Sequence, residues 1–409
     1  MSRRRRGLLR LLLAVVLLGG GATAGIVLAS GGSNRPRTIG RATVISLTAP
    51  GPRTVARGRT QPPAPRPPPL VVPAAVRKLA ESLPLGRQVA QLFLLGFTGT
   101  TPSAPFFVSL RDRGWGGAVL TRDNYVSLTQ LTALAGEAGV VAKNAGQVAP
   151  LVAAPQIGGV HTAFPDLPPA AEPQLGATGQ PDAAGKAALA AGKALRAADV
   201  NMVLAPDAAV GGPSSPIADR TFSADPAQVA AFIGATIDGY AQARVIAAVG
   251  SFPGDGGASA DPNVSQATVG GSLAELRARD LVPFAAVAGR APAIQVSNAL
   301  YAAFDGVTPA VLLPRAIETL LRAELRFGGV VVSGDLGATV QATGGQIGPT
   351  AVQALHAGCD LLYIQGNSVD QETAYRAVLA AAQSGKLSRA RLLASVERVL
   401  ALKAKYGVR

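Results

Sequence analysis

Two acids, Asp255 and Asp261, share the glycine-rich stretch Val249 to Asn263, which follows the apolar run Val245–Val249. Phe252-Pro253-Gly254 stops that run, so both carboxyls fall on the loop after a buried strand. Carboxyls in that place can serve as general acid, general base or nucleophile. Asp335 stands in a comparable place, just past the apolar run Gly329–Ser333. Arg220 lies beside Asp219 and close to Asp225. It can hydrogen-bond a polar ligand, or it can close a salt bridge at a rim.

The other reactive residue types give less. His161 has no Ser or Cys partner pattern and reads as an ordinary loop histidine. His356 precedes Ala357-Gly358-Cys359 at an expected helix end, where a histidine suits the dipole. Cys359 reads as a buried thiol rather than a nucleophile. Gly254-Asp255-Gly256-Gly257 lacks the Gly-Lys-Ser/Thr of a phosphate loop. No metal-ligand spacing is visible, so no metal and no cofactor is expected.

The elements that position these residues repeat along the chain. Apolar runs occur at Val89–Phe97, Gly116–Leu120, Pro150–Ala154, Asn201–Ala205, Val245–Val249, Ala293–Ser297, Gly329–Ser333 and Asp360–Ile364. Helix-like segments lie between them, at Asp182–Ala198, Pro226–Ala243, Ser272–Val287, Pro314–Arg326 and Thr350–Ala357. Strands that are apolar throughout, alternating with helices, mean a parallel sheet covered on both faces. About eight such units predict an α/β fold, a (β/α)8 TIM-type barrel, with chemistry on the loops after the strands. The last helix, Ser388 to Tyr406, has one broad apolar face and is expected to pack on the barrel.

Residues 1–72 hold 12 arginines and no acid, which leaves 26 basic residues against 24 acidic ones in the rest of the 409-residue chain. The net charge of +14 therefore belongs to the N-terminal end, and no nucleic-acid face is expected on the globular part. Arg3 to Arg6 followed by the apolar stretch 11–29 predicts an export signal or an uncleaved membrane anchor. Ala22-Thr23-Ala24 would suit a signal peptidase. Residues 31–76, with Pro62-Pro63-Ala64-Pro65-Arg66-Pro67-Pro68-Pro69, read as a semi-extended linker that trypsin should cut first. The expected organisation is thus 1–30 anchor or signal, 31–76 linker and 77–409 barrel. A single cysteine allows no internal disulfide.

From about residue 77 onward the chain resembles glycoside hydrolase family three, in its N-terminal barrel domain and its bacterial β-N-acetylglucosaminidase branch. The resemblance rests on Gly116-Gly117-Ala118-Val119-Leu120, Asp219-Arg220-Thr221-Phe222, Phe252-Pro253-Gly254 with Gly256 and Asp261, Ser333-Gly334-Asp335-Leu336, and Ala357-Gly358-Cys359-Asp360. It implies a retaining mechanism with a carboxylate nucleophile and an Asp–His acid/base pair. The same resemblance puts Gly334 at the nucleophile's place, with Asp335 one residue late and facing away if the strand runs on. Asn263 stands for the acid/base histidine, and its amide has no titratable proton. Gly250 and Ser251 stand for a Lys-His pair that would hold the sugar. The sugar-binding loop after the third strand reads Pro155-Gln156-Ile157-Gly158-Gly159-Val160-His161 and lacks the family's acids and arginines. The substrate-binding residues that remain are Arg220, Asp261 and Asp335, and no catalytic residue is assigned. These departures from the family's motifs, with the basic and apolar N-terminal segment, predict an envelope-anchored, non-catalytic relative that binds a peptidoglycan-type glycan or an envelope protein, outside the membrane or secreted. Two alternatives stay open: an active exo-β-N-acetylhexosaminidase with Asp335 or Asp255 as nucleophile, and a protein–protein scaffold.

Overall fold

The computed structural model describes residues 72–408, so the anchor or signal segment 1–30 and the linker up to residue 71 lie outside the described residues. Among the described residues no helix is long and apolar enough to cross a membrane.

All eight apolar runs contain strands: β1 (Phe93–Gly96), β2 (Gly117–Val119), β3 (Leu151–Ala154), β4 (Met202–Val203), β5 (Ile246–Phe252), β6 (Ala293–Val296), β7 (Val330–Val332) and β8 (Leu362–Ile364). They form one parallel sheet in the order β7-β6-β5-β4-β3-β2-β1-β8. Its two edges meet at a bridge between Val332 and Leu361, where Ser333 N donates to Leu361 O at 2.9 Å. The result is a parallel barrel of the TIM type, wrapped by helices.

Period-two alternation sorts the strand residues. Leu151 and Ala153, Ile246 and Ala248, and Val330 and Val332 point inward to one core with Leu94, Val119 and Met202. Phe93, Leu95, Val152, Ala247, Val249 and Val331 point outward to the helix layer. Both sets are buried, which is why the strands read as unbroken apolar runs. The last helix, Arg389–Tyr406, does more than lie against the outside. Its Val399, Leu402 and Tyr406 belong to the inner core and close the end where the strands begin.

Three expected boundaries shift. Val89 and Ala90 belong to a helix, Leu85–Ala90, rather than to the first strand. The segment Ser272–Val287 is two helices, Leu273–Ala278 and Leu281–Val287. Pro283 has no N–H to offer the preceding turn, and Arg279 leaves helical geometry, with Nη2 donating to Val210 O at 2.5 Å. The segment expected at Pro314–Arg326 winds as a wide π-helix over Arg315–Glu324.

Candidate functional site

The loops after the strands surround a cavity of about 380 Å³ at the opposite end from the last helix. Pro155 and Ile157 after β3, Leu204 after β4, Asn263 after β5 and Gln365 after β8 contribute to its wall, together with Gln295 of β6.

Asp335 lines this mouth, since the strand does not run on to turn it away. The period-two argument fails because β7 ends at Val332 and the chain turns before Asp335, which starts the helix Leu336–Thr343 as its N-cap. Asp335 Oδ1 accepts from Gly337 N at 3.0 Å and from Gln365 N at 2.9 Å. Burial raises the Asp335 pKa above the ordinary carboxylate value, while these backbone donors pull against that rise.

Position 334 is closed. A Cβ placed on Gly334 would lie 2.3 Å from Asn298 Oδ1. Asn298 is buried and anchored there: its Nδ2 donates to Asp335 O at 3.2 Å, and its Oδ1 accepts from Thr339 Oγ1 at 2.9 Å. Glycine at 334 therefore has a packing partner that fills the space a side chain would need.

Arg220 lines the mouth but is already engaged, and not with its sequence neighbours. Its Nε donates to Asp207 at 3.0 Å, and its Nη1 and Nη2 donate to the two oxygens of Asp261 at 2.5 and 2.8 Å. Burial opposes the guanidinium's charge, yet Asp261 and Asp207 together raise its pKa and keep it protonated. Burial would likewise raise Asp261, but the Arg220 bond and charge outweigh it and hold that carboxyl below its usual value. Asp219 Oδ2 lies 2.8 Å from His161 Nε2 but without the alignment of a hydrogen bond, and Asp225 caps the helix Pro226–Gln242. His161 lines the mouth beside that carboxylate.

Asp255, on the same loop as Asp261, is buried away from the mouth. Its Oδ1 accepts from Ser297 Oγ and Tyr301 Oη, both at 2.6 Å. Burial pushes its pKa up to about 6 against the pull of those two hydroxyls. Gln156 is also structural: its Nε2 donates to Phe164 O at 3.1 Å, and its Oε1 accepts from Phe164 N. Cys359 is fully buried and its thiol is pushed well up by that burial, as expected of a core residue. Among the described residues no cluster of three or more His, Cys, Asp or Glu could hold a metal ion.

A parallel barrel whose carboxylates, amides and arginine gather on the loops after the strands has the layout of a barrel glycoside hydrolase. The family model described as "Glycosyl hydrolase family 3 N terminal domain" matches residues 86–402, and the chain belongs to that family. Over 319 residues it is 33% identical to a β-hexosaminidase of Stenotrophomonas maltophilia (strain K279a), covering 75% of this chain and 91% of that one. Among solved structures, a family 3 β-N-acetylglucosaminidase from Paenibacillus sp. str. FPU-7 superposes with a TM-score of 0.75 at 31% identity. That match covers 80% of this chain and 63% of the other, so this chain spans less than two thirds of its length. A β-N-acetylhexosaminidase from Beutenbergia cavernae DSM 12333 superposes with a TM-score of 0.72 at 26% identity, over 79% of this chain and 99% of that one.

Proposed function

We propose that the mouth binds an N-acetylhexosamine-bearing glycan of the cell envelope without hydrolysing it by the carboxylate chemistry of the family. The observation that carries this reading is the closure of position 334: Asn298 occupies the space next to Gly334, and two hydrogen bonds hold it there. Asn263 supports it, because an amide cannot give a proton to a leaving sugar near neutral pH. Arg220 supports it as well, since Asp207 and Asp261 take three of its five N–H donors. What the cavity retains is suited to holding a sugar. The amides of Asn263, Gln295 and Gln365, the Tyr363 phenol and the Asp335 carboxylate offer donors and acceptors to hydroxyl and acetamido groups, beside apolar Ile157 and Leu204.

Hydrolysis is the second reading, and two observations favour it. The relatives that match over most of their length are named β-hexosaminidase, and Asp335 does line the mouth. In that reading the Asp335 carboxylate bonds to the anomeric carbon as the glycosidic C–O bond breaks, and His161, which lines the same mouth, gives the departing oxygen its proton.

Envelope display belongs to the same proposal. Its support is the sequence of residues 1–76, a basic cluster, an apolar stretch and a Pro-rich spacer. A reporter fused after Ser30 should be active outside the membrane, and activity confined to the cytoplasm would sink that part.

The experiment for the site is calorimetric titration of the full chain with N,N′-diacetylchitobiose. Saturable binding that Gln295→Ala and Asp335→Ala weaken supports a glycan mouth. No binding of this sugar, with capture of a defined envelope protein that masks Asn263 and Gln365, would replace it with a protein-docking role.

A further inference from the structure

We infer that the end of the barrel opposite the mouth carries an anion site that takes a phosphoryl group. A pocket of about 120 Å³ opens where β6 and β7 begin, between the turn 288–292, the turn 326–329 and the last helix. That space admits a small oxyanion. Four cationic side chains line it, Arg290, Arg326, Arg398 and Lys405, and no carboxylate does.

Two of these cations are partly committed. Arg290 Nη1 donates to Asp238 at 2.7 Å, and Arg398 Nη1 donates to Asp360 at 2.9 Å. Asp360 cannot neutralise the region, because Arg322 and Arg391 share the same carboxylate. Arg326 and Lys405 form no ion pair among the described residues. Arg326 also sits at φ 58°, the left-handed region that a glycine would occupy at less cost, and Gly328 and Gly329 follow after Phe327. Asp199 and Arg244 adopt the same backbone after other helices, but of the three only Arg326 lines this pocket.

Guanidinium groups match the oxygens of a tetrahedral phosphoryl group in pairs, and a flexible ammonium adds a point charge. No aromatic ring lines the pocket, so nothing is offered for stacking a base. The shared ligand chemistry is a phosphomonoester or phosphodiester, whether free or on a lipid headgroup.

The test titrates the full chain with inorganic phosphate at constant ionic strength, with chloride as the balancing anion, followed by ³¹P NMR or calorimetry. One saturable site is expected in the wild type. The double variant R326E/K405E should weaken it by at least about tenfold. The variant R111E/R376E makes the same change of charge at exposed positions elsewhere and should stay within about twofold. Thermal unfolding checks that all chains are folded, and R326Q/K405Q, which also removes both charges, replaces R326E/K405E if that protein is not. The inference is overturned if the wild type shows no saturable site, or if R326E/K405E and R111E/R376E lose affinity alike. The latter would show that phosphate responds only to the net charge of the chain. A monomeric short-chain phosphatidylglycerol then fixes the source. Binding about tenfold tighter than inorganic phosphate assigns the site to a lipid headgroup, and binding no tighter assigns it to a free phosphoryl ligand. Either result keeps the site.

Discussion

Gly334→Ala asks whether the space beside β7 is truly taken. The added Cβ would lie 2.3 Å from Asn298 Oδ1, 2.7 Å from Cγ and 2.9 Å from Nδ2. Asn298 must therefore move, and moving breaks its bonds to Asp335 O and Thr339 Oγ1. A protein hydrogen bond contributes about 1 kcal/mol net, and stranding a buried polar group costs about 1–3 kcal/mol. Replacing glycine returns roughly 0.4–1 kcal/mol through the unfolded chain. The balance is a loss of about 2–4 kcal/mol. Urea unfolding followed by fluorescence reads this directly, because Trp115 is the single tryptophan and is buried. The same substitution in an Asn298→Ala background should cost less than about 0.5 kcal/mol, giving a coupling of about 2 kcal/mol between the two positions. A loss below about 0.5 kcal/mol in the wild-type background, or an equal loss in both, would refute the claim that Asn298 fills the site.

Three other outcomes follow from the same geometry. Arg220→Ala should destabilise the fold by about 3–5 kcal/mol in urea, because it strands the buried carboxylate of Asp207 and frees Asp261; a cost under about 1 kcal/mol would show that the cluster is not the anchor of the loop after β5. Asp255 has a folded pKa of about 6. This lies above the ordinary unfolded value of about 3.9, so the folded chain binds the proton more tightly and stability falls as pH rises from about 4 to 6. Asp255→Asn keeps the acceptor that Ser297 and Tyr301 use and should remove up to about 3 kcal/mol of that slope, whereas an unchanged pH profile would mean that Asp255 does not titrate there. Cys359, the single cysteine, should resist Ellman's reagent in the native protein and react only on unfolding; fast labelling of folded protein would contradict its burial.

The barrel was legible because its signal is local: each strand is a short apolar run bounded by turn residues, and all eight runs hold a strand. The glycines of the loop after β5 were legible as part of a resemblance, and the structure gives the reason for one of them. A Cβ on Gly256 would lie 1.9 Å from Val210 O, so packing requires glycine whatever the loop's chemistry. The site was less legible because its contacts are distant in sequence. Arg220 reaches Asp207 and Asp261 rather than Asp219, and Asp219 reaches back to His161. Asp335 was misjudged by extending strand periodicity past Val332, where the chain has already turned to cap a helix. Asn298 carries no motif, and only the fold brings it beside Gly334.

Turnover of a chromogenic N-acetylglucosaminide by the full chain tests the central claim most directly. With Asn298 beside Gly334 and an amide at Asn263, the wild type is expected to release no more chromophore than a buffer blank, while N,N′-diacetylchitobiose still binds. Release on the order of 1 per second, within the ordinary range for enzymes, that Asp335→Asn abolishes would contradict the claim and establish the hydrolytic reading with Asp335 as nucleophile.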